Sequence, residues 1–117
     1  MWTISKEFRF EAAHSLEHLP ETHKCHYLHG HSYKLTVYCR GDLTNQWVID
    51  YADISDAVLP WVQQLDHKNL NDIIMCATTA ENICYWLWRR LLPKLPLLYR
   101  IDINETPGTC CSYCPRP

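Results

Sequence analysis

No apolar run in this chain reaches the ~18 residues of a membrane-spanning helix, so no such helix is expected. Basic residues are not in excess either. Eleven Lys and Arg stand against 13 Asp and Glu, a formal net charge of −2 with His neutral. The basic footprint of a nucleic-acid binder is therefore missing. Met1 to Phe10 alternates and carries Lys6, Glu7 and Arg9, which is not the apolar core of a signal peptide. Internal repeats, low-complexity stretches and linkers are also lacking. The seven cysteines lack the spacing of a secreted disulfide framework. These absences point to a cytoplasmic protein with mostly free thiols.

What is present suits one domain over residues 1–117. The apolar and charged fractions, 47% and 21%, are those of an ordinary globular chain. Five Trp and seven Tyr are many for this length and suggest core packing, pocket walls or subunit contacts.

Hydrophobic periodicity orders the elements. Thr3 to His14 alternates, with Phe8, Phe10, Ala12 and His14 on one parity, which predicts a strand with one buried face. His29, His31, Tyr33, Leu35 and Val37 predict a second strand, closed by Gly41-Asp42. Asp50 can cap a helix whose stripe is Ile54, Ala57, Val58, Trp61 and Leu65. Pro60 inside it should kink or shorten that helix. Thr78 and Glu81 form a capping box for a second helix with stripe Ile83, Trp86, Leu87 and Leu91, stopped by Pro93 and Pro96. A third strand runs from Leu97 to Glu105, with Tyr99, Ile101, Ile103 and Glu105 on one side. A short fourth lies around Thr109 to Tyr113. The order ββααββ predicts an α+β fold with an antiparallel sheet. Its open edges invite pairing with another chain, so an oligomer is expected.

The chemistry concentrates in few residues. His29-Gly30-His31 sets two imidazoles on one face of a strand, since positions i and i+2 point the same way. Gly30 removes a side chain between them and lets a neighbour approach. If the first two strands pair antiparallel, His14 joins them. Three neutral imidazoles with an open fourth position describe a catalytic zinc site. Cys25, four residues before His29, lies beside this site. A thiol there should have a lowered pKa and serve as base or nucleophile, or close the site as a fourth ligand. Asp66 beside His67 can fix the imidazole tautomer and raise its basicity. Glu105 ends an apolar parity, so its carboxylate faces a pocket or solvent; pocketed, it would suit a flat, N–H-rich heterocycle. Cys111-Ser112-Tyr113-Cys114, with Cys110 adjacent, has no second pair after it. Cys39, Cys76 and Cys84 are taken as small apolar fillers.

Taken in order, several segments closely resemble the 6-pyruvoyl-tetrahydropterin synthase family. They are Phe10-Glu11-Ala12-Ala13-His14, Cys25-x-x-x-His29-Gly30-His31-Ser32-Tyr33, Ile49-Asp50-Tyr51, Leu65-Asp66-His67-x-x-Leu70-Asn71, Thr79-Ala80-Glu81-Asn82 and Glu105-Thr106. The resemblance implies the tunnelling fold, ββααββ with two helices on one face of the sheet. It implies trimer-based rings, commonly hexamers, with active sites between subunits. It also implies roles: His14, His29 and His31 as Zn2+ ligands, Cys25 as catalytic base, and Asp66 with His67 as its proton relay. Glu105 would anchor the pterin, with backbone contacts near Thr79 and Ala80. Lys24 and His23 are candidates for the triphosphate. The three-residue gap between Cys25 and His29 resembles the bacterial carboxy-forming branch, which feeds 7-deazapurine (queuosine) synthesis; the pyruvoyl-forming branch has a longer gap. Thr78 departs from the family, where many members have Pro.

Overall fold

In a computed structural model, residues 1–116 are described. Two long strands, β1 (Trp2–His14) and β2 (His29–Gly41), form the centre of the sheet. They pair antiparallel along their whole length, from Trp2 opposite Gly41 to His14 opposite His29. The alternation seen in the sequence is the physical cause. Phe8, Phe10, Ala12, Leu35 and Val37 all face one side and are buried there.

Helix α1 (Tyr51–Leu65) starts where Asp50 accepts a hydrogen bond from the Ala52 amide at 2.9 Å. Such a cap stabilises a helix by about 1 kcal/mol. Pro60 does not shorten α1, which continues five residues past it to Leu65. Pro60 is on the exposed face, and the buried side chains Ile54, Ala57, Val58, Val62 and Leu65 lie on both sides of it. Their packing offsets the roughly 3 kcal/mol that an interior proline costs. Val62 takes the buried place expected of Trp61, which is half-buried and packs edge-on against Trp86.

Helix α2 (Ala80–Leu91) buries Ile83, Cys84, Leu87, Trp88 and Leu91. The expected capping box at Thr78 is not formed. Thr79 is the cap, accepting from the Asn82 amide at 3.3 Å, while Thr78 is wholly buried and engaged elsewhere. Both helices join one core with the inner face of the sheet.

The sheet has one strand more than the sequence suggested. Its order is β3-β1-β2-β4-β5, with β4 at Leu98–Asn104 and β5 at Cys111–Tyr113. The addition is β3 (Lys68–Asn69), two residues that pair parallel to Ala12 and Ala13. All other pairings are antiparallel. In β4, the register slips between Tyr38 and Cys39, so Cys39 faces Leu98 and Tyr99 is the extra residue of a bulge. Leu98, not Tyr99, is therefore buried, and Tyr99 packs under the Arg40 guanidinium.

The aromatics divide. Trp88 and Tyr33 are core, whereas Trp2, Trp47, Tyr27, Tyr51 and Tyr85 are exposed. Cys39 and Cys84 fill the core as expected, but Cys76 is exposed on the loop before α2, where no apolar layer covers it. Among the described residues, no helix is long and apolar enough to cross a membrane.

Candidate metal centre and active-site cleft

The antiparallel register of β1 and β2 brings three imidazoles together at one end of the sheet. His14 stands opposite His29, and His31 opposite Ala12. The ring centroids are 4.6 Å apart for His14–His29, 4.8 Å for His29–His31 and 5.1 Å for His14–His31. One ligand atom from each lies within 4.8 Å of the others. Among the described residues, this is the one set of three or more His, Cys or acidic side chains that could hold a metal ion.

The hydrogen bonds orient these rings for that purpose. His14 Nδ1 is 2.8 Å from the Thr78 carbonyl oxygen, and His29 Nδ1 is 2.8 Å from that of Tyr27. A carbonyl only accepts, so in both rings Nδ1 carries the proton and Nε2 keeps its lone pair. The Nε2 atoms of His14, His29 and His31 are all buried and have no hydrogen-bond partner. Burial lowers the pKa of His14 and of His31 below the ordinary 6.5, outweighing the opposing pull of Glu105. Three imidazoles with converging, partnerless Nε2 atoms fit zinc, which takes nitrogen ligands in a tetrahedral set.

Cys25 stays outside the converging group. A single 3-10 turn, Lys24–His26, carries it. Its amide donates to His23 Nδ1 at 3.0 Å, and its carbonyl accepts from the Leu16 amide at 2.8 Å, so the backbone is held from both sides. Cys25 lines a cleft of about 450 Å3 together with Lys24, His31, Ala80, Glu81 and Glu105. The Glu105 carboxylate is 3.4 Å from His31 Nε2, which places it beside the three-histidine cluster. Of the expected substrate contacts, Ala80 borders this cleft, while the Thr79 side chain is occupied as the α2 cap. His23 does not border the cleft; its imidazole serves the Cys25 turn.

Asp66 and His67 lie elsewhere. The Asp66 carboxylate accepts from the Glu11 amide at 2.8 Å and meets His67 Nδ1 at 2.9 Å. The Glu11 hydrogen bond, followed by that of His67, pulls the Asp66 pKa down. His67 adopts φ +59°, a conformation sparsely populated by side-chain-bearing residues, as the chain turns from α1 into β3. His67 borders a second cleft of about 520 Å3, floored by Ala13 and Gly30 and rimmed by Glu11, His31, Ser32 and Lys68. Cys25 does not border it. Gly30 is not needed for close packing within the chain, since a Cβ there would meet only the Ala12 carbonyl, at 3.6 Å.

Two residues named in the sequence have supporting roles that were not read from it. Thr78 fixes His14 through its carbonyl, with its hydroxyl 3.2 Å from the same nitrogen. Asn71 accepts from the Ser15 amide at 2.8 Å and donates to its carbonyl at 2.9 Å, which fastens the chain just after His14. Thr78 was read as a helix cap and as a departure from the family's usual Pro, and neither signal pointed to His14.

The model of the family described as 6-pyruvoyl tetrahydropterin synthase matches residues 3–116. A 6-carboxy-5,6,7,8-tetrahydropterin synthase of Synechocystis sp. is 35% identical, covering 97% of this chain and 93% of that protein. A dihydroneopterin monophosphate aldolase of Pyrococcus furiosus is 37% identical over 74% of this chain and 72% of its own. The solved structure of Caenorhabditis elegans 6-pyruvoyl tetrahydropterin synthase superposes with a TM-score of 0.87 at 28% identity, covering 98% of this chain and 96% of that one. A fold, a motif set and a sequence match that all run almost end to end agree: this chain belongs to the 6-pyruvoyl tetrahydropterin synthase family.

Proposed function

We propose that this protein is a zinc-dependent 6-carboxy-tetrahydropterin synthase. It would convert 7,8-dihydroneopterin 3′-triphosphate and water into 6-carboxy-5,6,7,8-tetrahydropterin, acetaldehyde and triphosphate, within 7-deazapurine (queuosine) biosynthesis in the cytoplasm. The observation that carries the reading is the set of three buried, partnerless Nε2 atoms beside a cleft that also holds Cys25 and Glu105.

His14, His29 and His31 would hold the metal. A zinc ion there would bind the side-chain hydroxyls of the substrate and lower their pKa. Glu105 would grip the N–H groups of the pyrimidine edge, with the backbone near Thr79 and Ala80 completing the pterin contacts. Lys24, on the same cleft, suits the triphosphate. Cys25 would take and return protons along the substrate side chain. Its partner would be the Asp66–His67 pair of a neighbouring copy, because in one chain the two groups open onto different clefts. A trimer-based assembly, with a hexamer favoured, would bring them together at the subunit boundary. The outer cleft has a small-residue floor at Ala13 and Gly30 that leaves room for such an approach.

The competing product is 6-pyruvoyl-tetrahydropterin, which the likeness to the nematode structure favours. A closed, non-catalytic zinc module is disfavoured because Cys25 lies outside the converging ligand set. Incubation with dihydroneopterin triphosphate, followed by mass analysis with aldehyde trapping, separates these readings. The carboxy product with trapped acetaldehyde supports the proposal. Mainly pyruvoyl product without acetaldehyde would move the protein to the other branch, and unconsumed substrate would refute both.

A further inference from the structure

Among the described residues, four buried side-chain atoms have no hydrogen-bond partner: the Nε2 atoms of His14, His29 and His31, and the hydroxyl of Tyr33. A metal centre accounts for the first three and leaves the fourth. A buried tyrosine hydroxyl usually finds a partner, and one without any loses its hydration for no return. Phenylalanine would fill the same space without that loss.

The surroundings of Tyr33 supply a reason for the hydroxyl. Tyr33 follows His31 by two residues on β2, so both side chains stand on the inner face. Its ring is wholly buried and stacks on Phe10 at 4.8 Å, with 10° between the planes. It meets the His31 ring edge-on at 5.5 Å and the His14 ring at 6.1 Å. Packed against Phe10 and two of the three imidazoles, the ring holds its hydroxyl in one place. The Glu105 carboxylate stands 3.4 Å from Nε2 of the same His31 ring.

We infer that the Tyr33 hydroxyl belongs to the metal centre, where it donates a hydrogen bond to the oxygen ligand that enters at the position left open by the three imidazoles. The inference rests on the zinc reading proposed above. The acceptor is an oxygen, whether of water or of a substrate hydroxyl. Tyr33 orients that ligand and strengthens its hold.

The test compares metal-free wild-type protein with Tyr33→Phe, using zinc and cobalt ions alone as probes. Without metal, the variant should be at least as thermally stable as wild type, because the partnerless group has been removed. Competition titration should show zinc bound about tenfold to a hundredfold more weakly, the usual cost of losing such a supporting contact. The visible spectrum of bound cobalt should shift. Zinc affinity within twofold of wild type and an unchanged cobalt spectrum would overturn the inference. So would a metal-free variant that is clearly destabilised or does not fold, since the hydroxyl would then have a partner within the protein. Wild-type protein separates the two levels. If it binds zinc and Tyr33→Phe matches it, only this inference falls; if it binds none, the zinc reading falls with it.

Discussion

Two histidine-bearing regions of this molecule, the β1–β2 strand pair and the corner after α1, differ in almost every physical respect. His14, His29 and His31 stand on paired strands, face the core and have their rings held by carbonyl oxygens or by one another. His14 is wholly buried. The His67 side chain, by contrast, is 77% exposed and sits on a left-handed turn at the corner between α1 and β3. One region is finished within a single chain. The other is oriented by Asp66 and Glu11 and does not border the cleft of Cys25. The strand pair gathers three imidazoles within one chain, while the Asp66–His67 pair stands at a separate corner of the fold.

The most severe way to break this contrast is His29→Ala. It should take zinc from about one per chain to near none and abolish turnover, because two nitrogens cannot hold the metal. Full zinc content by metal analysis would refute the ligand assignment. Next comes Cys25→Ala, which should keep zinc and fold while turnover falls by about 10²–10⁴, the worth of a positioned base. A collapse in zinc content would instead make Cys25 a ligand. The same variant sharpens the comparison further. Mixed and reassembled with His67→Ala, it should recover up to about a quarter of wild-type turnover, since random assortment leaves one site in four with both groups intact. No recovery in reassembled mixtures would place the whole relay within one chain.

A smaller loss is expected from Glu105→Gln. An amide donor would then face the donors of the pterin, a buried mismatch lowering kcat/KM about ten- to a hundredfold. Near-normal kinetics would return Glu105 to a solvated strand end.

The smallest effect concerns pH in the metal-free protein. His14 and His31 have pKa values lowered by burial. Below 6.5 the unfolded chain takes up protons that the folded site resists, so stability falls as pH drops below that value. Asp66 and Asp102 are also shifted down, but from 3.8, so they act in a more acidic window. The Tm should therefore decline between pH 7 and pH 5. A flat or rising Tm over that range would show that the imidazoles are not sequestered.

Much of this was legible in the residues because strand parity is a strict rule. Period two placed Phe8, Phe10, Leu35 and Val37 in the core, and the same rule put His29 and His31 on one face. The strand pair then had to bring His14 to them. What escaped depended on tertiary contacts. By sequence Thr78, with Glu81 three residues on, is the expected cap; its carbonyl and hydroxyl instead meet His14, and the cap falls to Thr79. Strand β3 is too short to show a period and exists because Ala12 and Ala13 offer it an edge. The Tyr99 bulge left no mark in an otherwise regular alternation. Asp66-His67 was visible as a pair, but its distance from the cleft of Cys25 was not, because sequence order says nothing about which face a helix end returns to.

The central claim is that the strand-borne histidine centre carries the chemistry. The most direct test is turnover of dihydroneopterin triphosphate by protein stripped with a chelator and then titrated with zinc. Substrate consumption should be lost on stripping and return linearly, reaching its plateau at about one zinc per chain. Undiminished consumption by metal-free protein would contradict the account.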